Sequence, residues 1–436
     1  MKVAFLIERS NFYRLFGPIV DRALARGWQT ECWYDCGQPR TGPKGSLFPD
    51  PDALPAFRHG RPTVRAYRGS TELVALLAAT PLDVVISMRR PTDAERASRA
   101  RWFGLQYTLD VGELLDPSGA TRHDGIGIHS AYWWDRVPDC LRILAHNRAL
   151  PTRSVPEPVD DAAVNETLRR RATIVGIPEL DQCQGIDPVT VRRRLGLDPV
   201  RPVVLYVPFQ LRSIPPRTFW LRHINRRGRL WQQTAVWLSG QRRYQPYVNG
   251  HWSDRGVVEA VRGFCDANSA ALVVKTRDKD PVPRYLARCA DRVLDDETYY
   301  PARILELLRI SALCVVTCLS TVTYEAAYVG VPSVCVAPSG DDLGFYPIWR
   351  EWFLNTEPGG SFNFPGVVYA RGLGEFVGGF AKSRLADYPL ELAMRAQYVE
   401  KFVGFDDGKS SDRVLDAAQS LVETPAAGAQ SAEGRA

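Results

Sequence analysis

Continuous apolar runs alternate with segments of helical apolar spacing in the first ninety residues. The run VAFLI at 3–7 is bounded by charged residues, as is typical of a strand buried on both faces. Helical spacing follows over 18–26, and residues 30–34 form the next candidate strand. A helix over 72–79 and a strand over 82–87 repeat the pattern. Strand–helix–strand units of this kind pair their strands in parallel, so the pattern predicts an α/β domain.

The same alternation returns near residue 200. Strands are predicted there at 202–209, 271–276, 312–317 and 332–337, and helices at 256–267, 302–310 and 323–330. The chain is therefore predicted to contain two Rossmann-like α/β domains, 1–175 and 176–400, and a disordered tail at 423–436. In such proteins a ligand binds where the carboxyl ends of the strands face the cleft between the halves. That rule selects the loops that follow residues 7, 208, 276 and 317.

The composition is typical of a cytoplasmic protein with two or three domains. The 436 residues are 45% apolar and 24% charged, which leaves ample apolar side chain for packed cores. The first apolar run is too short for the core of a signal peptide. Nine cysteines, an odd number without a C-x-x-C pair, indicate buried reduced thiols. The six histidines lack metal-ligand spacing, so no metal site is predicted.

Two of the selected loops carry charged side chains suited to a ligand. The loop after the first strand begins ERSN, which brings the Glu8 carboxylate to the cleft and lacks the G-x-G-x-x-G of dinucleotide-binding folds. The loop after the 271–276 strand contains Lys275 and Arg277, two cations that suit a phosphate-bearing ligand. The alternatives are an ordinary helix start in the first loop and solvated surface charge in the second.

The segment SALCVVTCLSTVTYEAAYVGVP at 311–332 has the most specific pattern. A buried strand ends at Thr317. Ser320 and Thr321 stand where a helix starts, and Glu325 lies one turn into that helix. Backbone N–H groups and the dipole at a helix start form an anion site, and a glutamate nearby can accept hydrogen bonds from the two hydroxyls of a ribose. We interpret the segment as a nucleotide site in preference to a capped helix with a solvated glutamate.

Three segments resemble two-domain transferases of the GT-B type. The 311–332 segment is similar to the donor-binding segment of the CDP-glycerol glycerophosphotransferase-like and capsule-polysaccharide group, and more distantly to UDP-N-acetylglucosamine 2-epimerases. VGIPELD at 175–181, with the strand region that follows it, and YVEKFVGFDDGKSSDRVLDAA at 398–418 resemble further segments of that group in the same order. The resemblance implies a GT-B fold, in which two Rossmann-like domains face a cleft and a final helix, here 401–422, crosses back to the N-terminal domain.

Two departures from the pattern of that group favour transfer of a sugar over transfer of glycerol phosphate. Members that transfer glycerol phosphate typically carry a His-Gly pair in the first half and a His-Pro pair after the strand placed at 271–276. Here Lys-Thr-Arg stands at the second position, and His59-Gly60 lies in a Pro- and Arg-rich loop. We expect a glycosyltransferase that moves a sugar from a nucleotide-activated donor onto a cell-envelope or capsular polysaccharide. An alditol-phosphate transferase, a UDP-sugar 2-epimerase-like enzyme and a polyanion-binding protein remain alternatives.

A metal-independent inverting transferase needs a base for the acceptor hydroxyl and cations or helix termini for the leaving phosphate. No cofactor is expected beyond the nucleotide donor, which is a substrate. The candidates for donor binding are Arg212, Lys275, Arg277, Ser320, Thr321 and Glu325. Glu8 and His129 are both candidates for the base. His129, within IGIHSAYWWD, could equally be a packed and hydrogen-bonded histidine.

A basic aromatic insert at 210–253 stands apart from the two halves. The formal net charge of the chain is +6, but residues 199–253 contain nine arginines and no acidic residue, which leaves −3 for the rest. Arginines interleaved with Trp and Tyr can hold phosphates or lie at a membrane interface. The candidates for contact with acceptor or membrane are Arg226, Arg227, Arg229 and Trp231.

Three interpretations of this insert stay open. It binds anionic lipid or a lipid-linked acceptor, which places the protein as a peripheral enzyme at the inner face of the plasma membrane. The second interpretation is that it binds nucleic acid, against which stands that the two α/β halves would then have no role. The third interpretation is a folded subdomain or an oligomer contact.

We predict that reversing the charges at Arg226, Arg227 and Arg229 to glutamate weakens acceptor or membrane binding and leaves nucleotide binding intact. Each basic residue near an anionic surface contributes about 1 kcal/mol, so the loss is ten-fold or more. Sedimentation with anionic vesicles measures the first property, and titration with a nucleotide measures the second. A loss of nucleotide affinity in the variant would instead assign the insert to the donor site.

Overall fold

The computed structural model describes residues 1–37, 54–107, 114, 121–135, 166, 169–208, 253–276, 282–295, 298–317, 320–337 and 356–424. Several sequence predictions lie outside these residues: those for Arg212, Arg226, Arg227, Arg229, Trp231 and Arg277, and for positions 425–436 of the tail.

The described part of the first half forms one parallel sheet. Its strands are β1 (Lys2–Ile7), β2 (Gln29–Asp35), β3 (Thr63–Tyr67), β4 (Val84–Ser87), β5 (Arg101–Leu105), β6 (Gly125–Ile128) and β7 (Ala172–Ile174). Its helices are α1 (Tyr13–Ala25), α2 (Gly69–Ala79), α3 (Asp93–Arg96) and α4 (Tyr132–Asp135), with a 3-10 turn at Ser10–Phe12. The strand order is β3-β2-β1-β4-β5-β6-β7.

The second half repeats this architecture within its described residues. Its strands are β8 (Val203–Val207), β9 (Ala271–Lys275), β10 (Arg292–Leu294), β11 (Leu313–Thr317), β12 (Ser333–Ala337) and β13 (Val368–Gly372). Its helices are α5 (Pro188–Arg194), α6 (Asp254–Ala267), α7 (Arg284–Cys289), α8 (Arg303–Arg309), α9 (Val322–Val329), α10 (Leu373–Gly379), α11 (Leu392–Tyr398) and α12 (Ser410–Glu423). Shorter turns lie at Pro178–Gly185, Phe380–Lys382, Leu385–Asp387 and Val399–Val403. The strand order is β10-β9-β8-β11-β12-β13, again parallel throughout.

Apolar layers cover both faces of each sheet. Val3, Phe5 and Ile7 of β1 pack with α1, whereas Ala4 and Leu6 pack into the layer on the opposite face. Because successive side chains of a strand point to opposite faces, a continuous apolar run such as VAFLI supplies both layers. The strands predicted from such runs therefore agree with the observed strands to within two residues. No helix among the described residues combines the length and the apolarity that crossing a bilayer requires.

Helix α1 begins at Tyr13, five residues before the start predicted at Pro18. The predicted start was wrong: proline is favoured at the first helical position, but here Pro18 lies inside the helix. Inside a helix, Pro18 lacks the N–H that would bond to the carbonyl of Arg14, four residues earlier. That carbonyl instead accepts a hydrogen bond from Nε2 of Gln182, at 3.1 Å, in the second half of the chain. The helix continues because a distant residue satisfies the group that proline leaves unpaired.

The last helix, α12, crosses back to the first half, as the sequence predicts. Its side chains Val414, Leu415 and Ala418 are buried in the same core as β1 and α1. Helix α12 begins at Ser410, however, and not at 401. Residues 399–403 form a π-helical turn that ends at Gly404, whose φ of +97° stops the helix.

The segments 175–181 and 398–418, both singled out in the sequence, pack against each other. The Asp181 carboxylate accepts hydrogen bonds from the backbone N–H groups of Ser410 at 3.1 Å and Ser411 at 2.6 Å, at the start of α12. Nε2 of Gln184 donates to the carbonyl of Asp407 at 3.0 Å. A carboxylate that binds free N–H groups at a helix start also stabilises the helix dipole. The two motifs therefore fix where the crossover helix starts.

We predict that Gly404→Ala lowers the free energy of unfolding more than Gly27→Ala does. Both glycines have positive φ, which costs an alanine about 1–2 kcal/mol. A Cβ at Gly404 would also lie 2.2 Å from the carbonyl oxygen of His129, whereas a Cβ at Gly27 meets nothing within 4 Å. Overpacking adds about 1–3 kcal/mol to the first variant. Denaturant midpoints measure both, and equal losses would show that the crossover contact tolerates the extra atom.

Candidate functional site

The switch points of the two sheets meet at an ion pair. In each sheet the strand order reverses between two neighbouring strands, β1 and β4 in the first half and β8 and β11 in the second. Arg14 lies in the first turn of α1, the helix that follows β1, and Glu325 lies in the first turn of α9, which follows β11. Nη2 of Arg14 donates to Oε1 of Glu325 at 2.6 Å. The carboxyl edges of both sheets therefore border one junction, where α/β folds bind ligands.

A second carboxylate shares the Arg14 guanidinium. Nε of Arg14 donates to Oε1 of Glu179 at 2.7 Å, and Nη2 contacts the same oxygen. The Glu325 side chain is only 5% exposed, and its burial raises its pKa to about 7. Glu179 adds to this rise and Arg14 opposes it, because one is a like charge and the other an opposite charge. Burial and Glu179 thus favour the neutral Glu325 carboxyl, whereas Arg14 favours the carboxylate.

One oxygen of Glu325 lacks a partner in the described part of the chain. Oε1 is bound to Arg14, but Oε2 is buried and makes no hydrogen bond there. A buried acceptor without a partner costs about 1–3 kcal/mol, and more when it is charged. A donor hydroxyl at Oε2 would remove that cost. The Oε2 atom of Glu325 is therefore left as an acceptor without a donor among the described residues.

The start of α9 supplies polar groups beside Glu325. The Ser320 hydroxyl lies 3.4 Å from the backbone nitrogen of Val322, and the Thr323 hydroxyl donates to the Ser320 carbonyl at 3.0 Å. Thr321 precedes the first helical residue and makes no side-chain capping bond. The helix ends at Gly330 in the left-handed conformation, with φ of +83°. Ser320 and Thr321 thus lie at the helix start that the sequence predicts.

Glu8 lies at the carboxyl edge of the first sheet beside Arg89, which follows β4. Nε of Arg89 donates to Oε1 of Glu8, while its Nη1 and Nη2 donate to the buried Glu95 carboxylate at 2.8 and 2.9 Å. Burial raises the pKa of Glu8 above its ordinary value, although Arg89 opposes the rise. A carboxylate whose pKa is raised accepts a proton more readily, as a general base must.

His129 is buried, and both its backbone N–H and its ring Nε2 are hydrogen-bonded to Gln106. Its Nε2 lies 3.2 Å from the carbonyl oxygen of Gln106, which can only accept, so Nε2 carries the proton. Its backbone N–H donates to the side-chain oxygen of Gln106 at 2.9 Å, and its ring meets Trp133 edge-on. Burial lowers its pKa to about 3. These contacts describe the packed histidine of the two alternatives that the sequence leaves open.

Lys275 ends β9, the strand next to β8. Its Nζ donates to the carbonyl of Thr276 at 2.6 Å. The structure brings the Glu325 helix start and Arg14 together, and places Glu8 with Arg89 at the edge of the first sheet. Within the described residues, no group of three or more His, Cys, Asp or Glu side chains is arranged to hold a metal ion.

Sequence reasoning missed Arg14, Glu179 and Arg89. Glu179 stands inside the VGIPELD segment that the resemblance singles out, so the sequence contained a sign that it is a candidate. Arg14 stands four residues before Pro18, and the carbonyl that this proline leaves unpaired was the available sign that Arg14 has a distant partner. Nothing in the sequence around Arg89 distinguishes it from a surface arginine.

The comparison with known proteins rests on three-dimensional structure. No family model and no curated protein matches the chain. The wall teichoic acid polymerase TagF superposes with a TM-score of 0.50 at 11% identity, over 97% of this chain and 89% of that one. MnaA of S. aureus, in a co-structure with UDP, gives 0.52 at 10% identity over 97% of each chain. A Listeria monocytogenes protein described as a UDP-N-acetylglucosamine 2-epimerase gives 0.50 at 12% identity, over 97% and 96%. These likenesses confirm the predicted GT-B fold of two Rossmann-like halves.

Proposed function

We propose that the protein is a metal-independent glycosyltransferase that moves a sugar from a nucleotide-activated donor onto a cell-envelope or capsular polysaccharide. The ion pair between Arg14 and Glu325 carries this proposal, because it brings the two switch points to one junction. Open α/β sheets bind nucleotides at such points. The UDP in the MnaA co-structure supports a nucleotide ligand for a chain of the same fold.

In this proposal the nucleotide-activated donor binds to residues of the second half. Glu325 accepts a ribose hydroxyl, since its buried Oε2 lacks a partner among the described residues. The start of α9, with Ser320 and Thr321, faces the phosphates with its N–H groups and helix dipole. Lys275, at the end of β9, supplies positive charge to the leaving phosphate, as do Arg277 and Arg212 in the sequence prediction.

Glu8 is the proposed base. It takes the proton from an acceptor hydroxyl, whose oxygen bonds to the anomeric carbon of the sugar while the bond from that carbon to the phosphate oxygen breaks. The nucleoside diphosphate leaves with the electron pair. Glu8 suits this role better than His129, because burial raises the pKa of Glu8 and lowers that of His129 to about 3. The ring proton of His129 is also engaged with Gln106.

A nucleotide screen separates the proposal from its alternatives. We expect at least one of UDP, CDP and CMP to raise the unfolding temperature by several degrees, since ligand at 100 times its Kd stabilises by about 2.7 kcal/mol. Product mass from matching donors then identifies a transferred sugar or an alditol phosphate. A donor that is converted without any acceptor indicates an epimerase. If no nucleotide protects the protein, the proposed transferase is wrong and the polyanion-binding alternative stands.

We predict that Glu8→Gln lowers kcat about 10²–10⁴-fold, the usual contribution of a general base, with little change in donor affinity. Glu72→Gln, which alters an exposed glutamate of the same half, leaves kcat unchanged and serves as the control.

The pH dependence provides a second readout of Glu8. The wild-type rate falls at acidic pH through a pKa above the ordinary glutamate value of about 4.3, because burial disfavours the carboxylate. Arg89 stabilises that carboxylate, so Arg89→Lys, which weakens the pairing, moves the acid limb to higher pH. An unchanged kcat in Glu8→Gln would remove Glu8 from the mechanism, whatever the pH profile shows.

A further inference from the structure

Arg14 belongs to α1 of the first half, but both its backbone carbonyl and its guanidinium are bound to residues of the second half. Its carbonyl, left unpaired by Pro18, accepts from Nε2 of Gln182 at 3.1 Å. The Oε1 atom of Gln182 in turn accepts from the backbone N–H of Ala302 at 2.8 Å. Its guanidinium binds Glu179 and Glu325. The backbone of Arg14 is therefore tied through Gln182 to the start of α8, and its side chain is tied to Glu325 of α9.

The guanidinium occupies one specific oxygen of Glu325. Nη2 of Arg14 is bound to Oε1, and Oε2 stays unpaired in the described structure. A carboxylate in a site this buried keeps its charge only when a cation is near. Arg14 supplies that cation, since it opposes the rise in the pKa of Glu325 that burial and Glu179 produce.

We propose that Arg14 is the positioning residue of the nucleotide site: it holds Oε1 of Glu325, so that Oε2 is directed to accept a ribose hydroxyl of the donor. The selectivity for ribose is thereby supplied jointly by the two halves of the chain. This inference rests on the proposed function, because it requires a nucleotide at the junction. It adds a residue of the first half to the site that recognises the donor sugar ring.

The experiment compares affinities of the full-length chain for UDP and CDP with those for their 2′-deoxy and 3′-deoxy forms, by calorimetry. A hydrogen bond to a charged group gives the wild-type protein a preference of about ten-fold or more for the form that carries the hydroxyl. In Arg14→Gln this preference falls about ten-fold, because the bond loses its charge, while affinity for the deoxy form changes little. Arg14→Lys restores part of the preference.

The pH dependence of the preference distinguishes positioning from a structural role. Among the described residues, the titratable or charged groups near Glu325 are Arg14, Glu179 and the buried thiols Cys183 and Cys314, whose pKa values burial raises so that they stay neutral. The preference for ribose grows with pH as Glu325 ionises. Arg14→Gln moves the midpoint of that growth to higher pH, and Glu179→Gln moves it to lower pH.

Arg22→Gln is the matched control. Arg22 lies on the same helix and pairs with Asp412 at 3.1 Å, so its loss removes an α1 ion pair without touching Glu325. Should Arg14→Gln fail to fold, Arg14→Lys and Glu179→Gln carry the same test. The inference is overturned if the preference for ribose and its pH midpoint are unchanged in the Arg14 and Glu179 variants. It is also overturned if Arg14→Gln binds the riboside more tightly, because Arg14 would then compete with the ribose hydroxyl for Glu325. Absence of nucleotide binding in the wild-type protein refutes the proposed function instead.

Discussion

The two halves of the chain meet at Arg14, whose guanidinium lies between Glu179 and Glu325 and whose carbonyl accepts from Gln182. Removing one partner from a buried ion pair leaves an uncompensated charge and costs about 3–5 kcal/mol. This contact therefore fixes how the carboxyl edge of the first sheet faces that of the second. The crossover helix reinforces it, because its start is bound to Asp181, two residues beyond Glu179.

Each half presents a carboxylate with the same physical character at the carboxyl edge of its sheet. Glu8 is paired with Arg89 and Glu325 with Arg14, and in both cases burial raises the pKa while the arginine opposes the rise. The two carboxylates differ in which of their oxygens can still contact a substrate. Glu325 has one oxygen held by its arginine and a second that is buried and unpaired among the described residues, which suits an acceptor for a hydroxyl. Glu8 is partly exposed, which suits an exchange of protons with a substrate.

The sequence predicts the scaffold well because buried parallel strands are continuous apolar runs, and these are local patterns. The 311–332 segment could be interpreted for the same reason: strand, helix start and Glu325 all lie within residues 312–325. The start of α1 was misplaced, since a proline inside a helix depends on Gln182, more than 160 residues away. The pairs Arg14–Glu325 and Arg89–Glu8 depend on which strands are neighbours in each sheet, and strand order is not written in any local pattern.

The structure of the protein bound to UDP or CDP tests the central claim most directly. The account predicts a ribose hydroxyl within hydrogen-bonding distance of Oε2 of Glu325, with Arg14 still on Oε1 and the phosphates toward Ser320 and Thr321. A nucleotide bound away from the junction of the two sheets, or a ribose without contact to Glu325, would contradict it.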